Sequence, residues 1–277
     1  MMVSLQWYGE EGDSMHLRIR LANPAGNITL FVLDPVDPAA RPALSAALMR
    51  RDPSVEQVAF VTAPKSGGAG RFEMMGGEFC GNACRAFGFL LARERFSGGV
   101  HTLAVEASGA ASPVAVTADL DAGHSSAAMP LPRAVSPCFV GGLRGTLAEF
   151  EGISHLVLPH GYNEELLRAG QALLAQTGAE AWGVLFLEGL SMIPVVTVRS
   201  TGTTVFEGSC GSGSVAAACA LGLAAGEGED CCALRQPRGT ILAAAAVREG
   251  SLSAASIGGS VSFGEPDVLT LPDKGEG

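Results

Sequence analysis

The sequence predicts an α+β fold built as two related halves. Nine runs with a strand-like pattern outnumber four with a helical one, and each half passes through several strands, a Cys-Gly motif opening an Ala-rich helix, and further strands. Between the halves PLPRAVSPCFVGG (130–142), rich in proline and glycine, reads as a linker, which sets residues 1–130 apart from 131–277. A chain of 277 residues can give each half an ample core without disulfides.

In chain order the strand-like runs are HLRIRL (16–21), ITLFVLD (28–34), VEQVAFVT (55–62), HTLAVEA (101–107), VAVTADL (114–120), HLVLP (155–159), GVLFLE (183–188), PVVTVRS (194–200) and TILAAAAV (240–247). They alternate in polarity or are rich in β-branched residues. The helical patterns are ALSAALMRR (43–51), GNACRAFGFLLARERF (81–96), NEELLRAGQALLAQTG (163–178) and GSGSVAAACALGLAA (211–225), with apolar residues three and four apart.

Formal charge is −10, with 18 Lys and Arg against 28 Asp and Glu. No basic run or interleaved aromatics appear that would follow a phosphate backbone, so nucleic acid is not an expected partner. The start MMVSLQWYGEEGDS lacks a basic segment followed by a long apolar one, and no later stretch holds 18 uninterrupted apolar residues. A soluble, cytoplasmic protein is expected. Seven scattered cysteines fit reduced thiols rather than a secreted disulfide framework.

Two stretches carry chemistry: GGEFCGNACRAFG (76–88) and FEGSCGSGSVAAA (206–218), each with a cysteine directly before a helix. The first N–H groups of a helix lack partners and carry the positive end of its dipole. Glycine after the cysteine lets a ligand approach, so the N–H groups of Gly81 and Asn82, and of Gly211 and Ser212, suit a carboxylate. The same field favours thiolate, lowering a cysteine pKa from about 8.5 into roughly 3.5–7.5. A carbon acid held between two such helix starts would have Cys80 on one face and Cys210 on the other. One sulfur would remove the α-proton while the other delivers a proton, inverting the centre without a cofactor. The N–H donors would also stabilise the negative charge that develops.

A lone cysteine at an Ala-rich helix start is more often a small buried filler. Two matching motifs reverse that weighting. Cys84 lies one turn after Cys80, but C-x3-C without nearby histidine is a weak metal signature, so no metal is expected. Cys219 reads as core, and Cys138, Cys231 and Cys232 as packing. Pyridoxal phosphate would need a lysine, and only Lys65 and Lys274 exist, in a loop and the tail. No phosphate-binding loop is present, and GSCGSGSVAA lacks the acidic partner of a dinucleotide fingerprint.

The CGN at 80–82, the CGSG at 210–213 and the Gly-Asn in PAGNITLFVLD, ending at Asn27, resemble the cofactor-independent amino acid racemases of the diaminopimelate epimerase fold. That resemblance implies two pseudo-symmetric lobes, each a mixed β-barrel-like sheet around a central helix, with the active site between them. Dimers are common among such enzymes. It gives Cys80 and Cys210 the base and acid roles and Gly81, Asn82, Gly211 and Ser212 the carboxylate-binding positions. Asn27 and Gln57 fall where the family places polar contacts to the amino acid.

Diaminopimelate epimerases carry a Glu-Arg pair before the second cysteine and an Asn-Pro-His in the strand opening the second lobe. Here Thr201-Gly202 and Ile153-Ser154-His155 stand there, and Gly183 occupies a position where another asparagine is expected. Without that distal clamp the second carboxylate and ammonium of diaminopimelate would enter unpaired, at a loss of at least ~1–3 kcal/mol per group. The GGEFCGNA form instead resembles the histidine racemases that supply D-histidine to opine-type metallophore synthesis. In that reading Glu56 or Glu78 faces an imidazole or the α-ammonium, whereas Glu78 equally suits a carboxylate at a helix start. His155, in an apolar strand, reads as a satisfied structural histidine. Diaminopimelate epimerase itself, an isomerase of the phenazine-biosynthesis type, and an amino acid binding protein are the alternatives.

Overall fold

The computed structural model describes residues 15–222 and 227–271. It is a mixed α+β structure, mostly sheet. In chain order the strands and helices are β1 (Met15–Asn23), β2 (Thr29–Val32), α1 (Arg41–Arg51), β3 (Gln57–Thr62), β4 (Gly70–Met74), α2 (Gly81–Arg95), β5 (Val100–Ala107), β6 (Val114–Asp119) and β7 (His124–Ala128). There follow β8 (Ala134–Val140), β9 (Leu143–Glu149), β10 (Ile153–Leu158), α3 (Glu164–Leu174), β11 (Ala181–Glu188), β12 (Ser191–Val198), β13 (Thr203–Phe206), α4 (Gly211–Ala220), β14 (Gly228–Gln236), β15 (Gly239–Arg248), β16 (Ser251–Ser260), β17 (Ser262–Phe263) and β18 (Asp267–Leu271). Among the described residues no helix is long and apolar enough to cross a membrane.

The chain divides into two compact units. Of the described residues the first holds 15–24, 28–125 and 260–271; the second holds 126–259 together with the short segment 25–27. In the first unit β18 runs antiparallel to β1, β1 to β2, β3 to β4 and β5 to β6, while β2–β3 and β4–β5 are parallel. In the second, β8–β9, β9–β10, β11–β12 and β14–β15 are antiparallel, while β10–β11 and β12–β14 are parallel. One succession of pairings therefore occurs twice. Every parallel step needs a crossover connection, and each of the four contains one helix, α1 to α4 in order.

The first unit packs α1 and α2 against its strands. Leu44 and Leu48 of α1 pack with Leu30, Val32, Val58 and Phe60, and α2 is buried from Gly81 to Ala92. Phe87 of α2 stacks on Phe31 and meets Phe72 edge-on. Gly88 sets the approach of α2 to β6, since a Cβ there would lie 2.4 Å from Val116. In the second unit α3 lays Leu167 and Leu174 against Leu156, Val184, Phe186 and Val195. Helix α4 is lined by small residues, and Val215 to Ala218 are fully buried, as a helix apolar on all sides must be.

All nine expected strands have an element in place, with others beside them. Most of the expected linker is strand rather than connection: residues 134–140 form β8, with Pro137 opposite Thr146. Proline withholds only its own N–H and keeps φ within the extended range, so its presence does not exclude a strand. Helix α4 stops at Ala220, and Gly222 turns out at φ +80°, the left-handed C-terminal stop that glycine supplies. Residues 223–225 of the expected helix lie outside the described residues.

Candidate active site

Both motif cysteines are helix N-caps in extended conformation. Cys80 opens α2 at φ −125°, ψ 109°, and Cys210 opens α4 at φ −121°, ψ 117°. The surroundings of the two sulfurs differ.

In the first unit the half-buried Cys80 sulfur accepts from the Ala83 N–H at 3.4 Å and from the Gln57 side-chain amide at 3.3 Å. The same amide nitrogen donates to Thr29 Oγ1 at 2.7 Å, which fixes Gln57. Both donors favour an anionic sulfur. The loop before Cys80 is pinned by Ser108, whose hydroxyl donates to the Glu78 carbonyl and accepts from the Met74 N–H, each at 2.8 Å. Gly109, at φ +69°, lies so close behind that a Cβ would sit 2.4 Å from Phe79 N. Asn82 is buried, and its Oδ1 accepts from Arg85 Nε at 3.2 Å. Cys84 is wholly buried, and burial drives its thiol far above the ordinary range, so it stays a neutral packing group.

In the second unit Gln236 grips the Cys210 backbone: its Oε1 accepts the Cys210 N–H at 2.7 Å and its Nε2 donates to Ser214 Oγ at 2.9 Å. Ser214 in turn donates to the Cys210 carbonyl at 2.6 Å. The Cys210 sulfur lies 3.7 Å from Ser212 Oγ, and Ser212 Oγ lies 2.8 Å from His155 Nε2. Burial first, then the charge and hydrogen bond of Glu207, push the Cys210 thiol well above its usual value. Cys210 is accordingly a neutral thiol at rest.

His155 is completely buried on β10 and departs from the satisfied structural histidine the sequence suggests. Its Nε2 joins the Cys210 motif, whereas its Nδ1 has no hydrogen-bond partner. A proton on Nε2 lets the ring donate to Ser212 and leaves the Ser212 hydroxyl free to donate to sulfur. Burial lowers the imidazole pKa from 6.5 to about 3, so the ring is neutral at physiological pH. The unfolded chain then binds a proton below pH 6.5 that the folded chain refuses until about pH 3. Stability from this group is complete above that window and falls through it, by at most about 1.4 kcal/mol per pH unit. Denaturant unfolding at pH 7, 6 and 5 should show this slope in the wild type and a shallower one in His155→Gln.

The other expected residues are distributed between the units. Asn27 belongs with the second, carried by segment 25–27, in which Ala25 and Gly26 both have positive φ. A Cβ on Gly26 would fall 2.3 Å from Arg238 Cβ, so this segment runs against the 236–239 turn that supplies Gln236. Arg238 N–H also donates to the Gly208 carbonyl, tying that turn to the Cys210 loop. Glu56 is half-buried beside Gln57, both of whose main-chain N–H groups reach the Ile28 carbonyl. Glu78 reaches the surface, and crowding by surrounding atoms raises its carboxyl. Gly81, Gly211 and Ser212 occupy the first helical positions after the cysteines. Sequence reasoning missed Arg85, Glu207, Ser214 and Gln236. Arg85 and Glu207 have a visible signal, a charge five residues after one cysteine and three before the other; Gln236 and Ser214 have none.

Solved structures share this fold. A hydroxyproline epimerase from Agrobacterium vitis, holding trans-4-hydroxy-L-proline, superposes with a TM-score of 0.63 at 14% identity over 94% of each chain. A phenazine biosynthesis protein of the PhzF family from Enterococcus faecalis superposes with 0.60 at 15% identity, over 93% of this chain and 100% of its own. In sequence, a histidine racemase of Fusobacterium nucleatum is 32% identical over 209 residues, 70% of this chain and 76% of the relative. The family model described as the histidine racemase CntK N-terminal domain matches residues 17–265, and the chain belongs to that family.

Proposed function

We propose that this chain is an isomerase, a cofactor-independent racemase that inverts histidine at its α-carbon with Cys80 and Cys210 as the two bases. The observation that carries it is the pair of N-cap cysteines with matching backbone and opposite surroundings. Cys80, with two N–H donors on its sulfur, is the resting thiolate; Cys210, buried beside Glu207 and a neutral His155, is the resting thiol. Cys80 takes the α-proton from one face, Cys210 gives its proton to the other, and the ionisation of the pair is exchanged. The substrate carboxylate rests on the N–H groups of Gly81, Asn82, Gly211 and Ser212, where helix dipoles stabilise the growing charge. Asn27, Gln57 and Glu56 hold the rest of the amino acid.

The repeated succession of pairings supports two pseudo-symmetric lobes of the diaminopimelate epimerase type. Residues 1–130 and 131–277 would be the repeats, with β18 completing the sheet of the first. A reducing compartment such as the cytoplasm keeps both thiols active, and a homodimer accords with the family. The family match and the Fusobacterium relative favour histidine, which purified protein tests directly. L-Histidine in D2O should lose its α-proton signal by NMR while D-histidine accumulates on a chiral column. Exchange into diaminopimelate but not histidine would move the substrate; deuterium in none of the twenty common amino acids or diaminopimelate would reject racemisation.

A further inference from the structure

We propose that Arg85 is a positioning residue for the Cys80 half of the site: its buried guanidinium, tied back to the Asn82 side chain, sets a fixed positive charge beside the first turn of α2 and holds Cys80 as the anion. This rests on Cys80 being the resting base. Beyond Asn82 the buried part of helix α2 runs through Ala83, Ala86, Phe87, Phe89, Leu90 and Leu91, yet Arg85 among them has no exposed surface at all. A charge in such a place costs far more than an apolar side chain of that size unless its donors are used.

Here two of its three nitrogens are used, and they aim it. Nη1 donates to the Ser260 carbonyl at 3.1 Å and Nε to Asn82 Oδ1 at 3.2 Å. The main-chain carbonyl of Arg85 accepts the Ser125 hydroxyl at 3.0 Å, which fixes the helix at this residue. Helical side chains lean toward the N-terminus, and a bond to the second residue of α2 places the guanidinium alongside the turn that Cys80 caps. Burial lowers the Arg85 pKa to about 10, and the Cys80 charge opposes that lowering, so the arginine remains a cation at neutral pH. Attraction is mutual, and the arginine favours the thiolate to the same degree. Cys84, which also feels the Cys80 charge, stays neutral through burial. A side chain kept only to fill space would impose neither an orientation on Asn82 nor a charge on Cys80.

The pH dependence of Cys80 alkylation by iodoacetamide, read by peptide mapping, reports this without relying on racemisation. Arg85→Gln should move the midpoint up by about one pH unit and slow alkylation about tenfold at pH values below both midpoints. Arg85→Lys, retaining charge without the planar fork, should keep the alkylation midpoint while raising the KM for histidine, because the fixed Nε bond that orients Asn82 is lost. Melting curves identify variants that fold. A folded Arg85→Gln with the wild-type midpoint, or an Arg85→Lys shifted as far as Arg85→Gln, would overturn the proposal. Should the glutamine variant not fold, the wild type decides: Cys80 should react faster with anionic iodoacetate, relative to iodoacetamide, in the native protein than in guanidinium. An equal ratio overturns the proposal. Absence of racemisation with a shifted Arg85→Gln midpoint would reject the racemase reading and leave this one standing.

Discussion

Cys80→Ala and Cys210→Ala are each expected to lower histidine racemisation roughly 10²–10⁴-fold, the span that a positioned acid or base supplies. The two losses should differ in kind. On the proposed two-base mechanism, a protein without the Cys210 sulfur would still bring the Cys80 thiolate to the α-proton of one enantiomer, which should exchange with solvent and return without inversion. With Cys80 removed, only the opposite enantiomer has a sulfur on its proton face, and exchange there is slower because the Cys210 thiol must first ionise beside Glu207. NMR of deuterium uptake and chiral chromatography on the same samples separate exchange from inversion. Both variants should fold, since Gln236 holds the Cys210 backbone through main-chain N–H and the bonds to the Cys80 sulfur from Ala83 and Gln57 are long, at 3.4 and 3.3 Å. Inversion at the wild-type rate in either variant would remove that sulfur from the mechanism. Serine in place of either cysteine should retain trace activity, a hydroxyl being a far poorer base.

Much of the fold is legible because hydrophobic periodicity is local. Runs such as VEQVAFVT and GVLFLE state their strands outright, and the four helical patterns place α1 to α4. What is not legible is pairing between distant segments. Nothing in DVLTL announces that β18 returns to lie against β1, with Leu17 opposite Leu269. Strand β14, GEDCCALRQ, is exposed along most of its length and so lacks an alternating signal, and β8 is hidden by Pro137. At the site the cysteines are legible because cap position and glycine neighbours are local features. Gln57 falls in a readable strand, and the structure brings it to Cys80. The grip of Gln236 on Cys210 depends on a turn that no short-range pattern specifies.

Gly183 shows how an apparent departure from a family pattern acquires a physical cause. It lies directly opposite His155 across the parallel β10–β11 ladder, and a Cβ there would come 2.5 Å from His155 Nδ1 and 2.9 Å from Cε1. A side chain at 183 and the present imidazole are mutually exclusive. Gly183→Ala must therefore turn the ring away from Ser212 or spread the two strands. Overpacking of this kind costs about 1–3 kcal/mol, visible as a lower denaturant midpoint. Turning the ring breaks the 2.8 Å bond to Ser212, the residue beside the Cys210 sulfur. Racemisation should then fall roughly 10²-fold, the loss that follows when a reacting group shifts by about 1 Å. His155→Ala removes both the clash and the bond, so adding Gly183→Ala to it should cost little more. Such non-additivity is the signature of two residues acting through one contact. If the two substitutions instead add in full, the ring is not what the glycine accommodates, and the link from β11 through His155 and Ser212 to Cys210 fails.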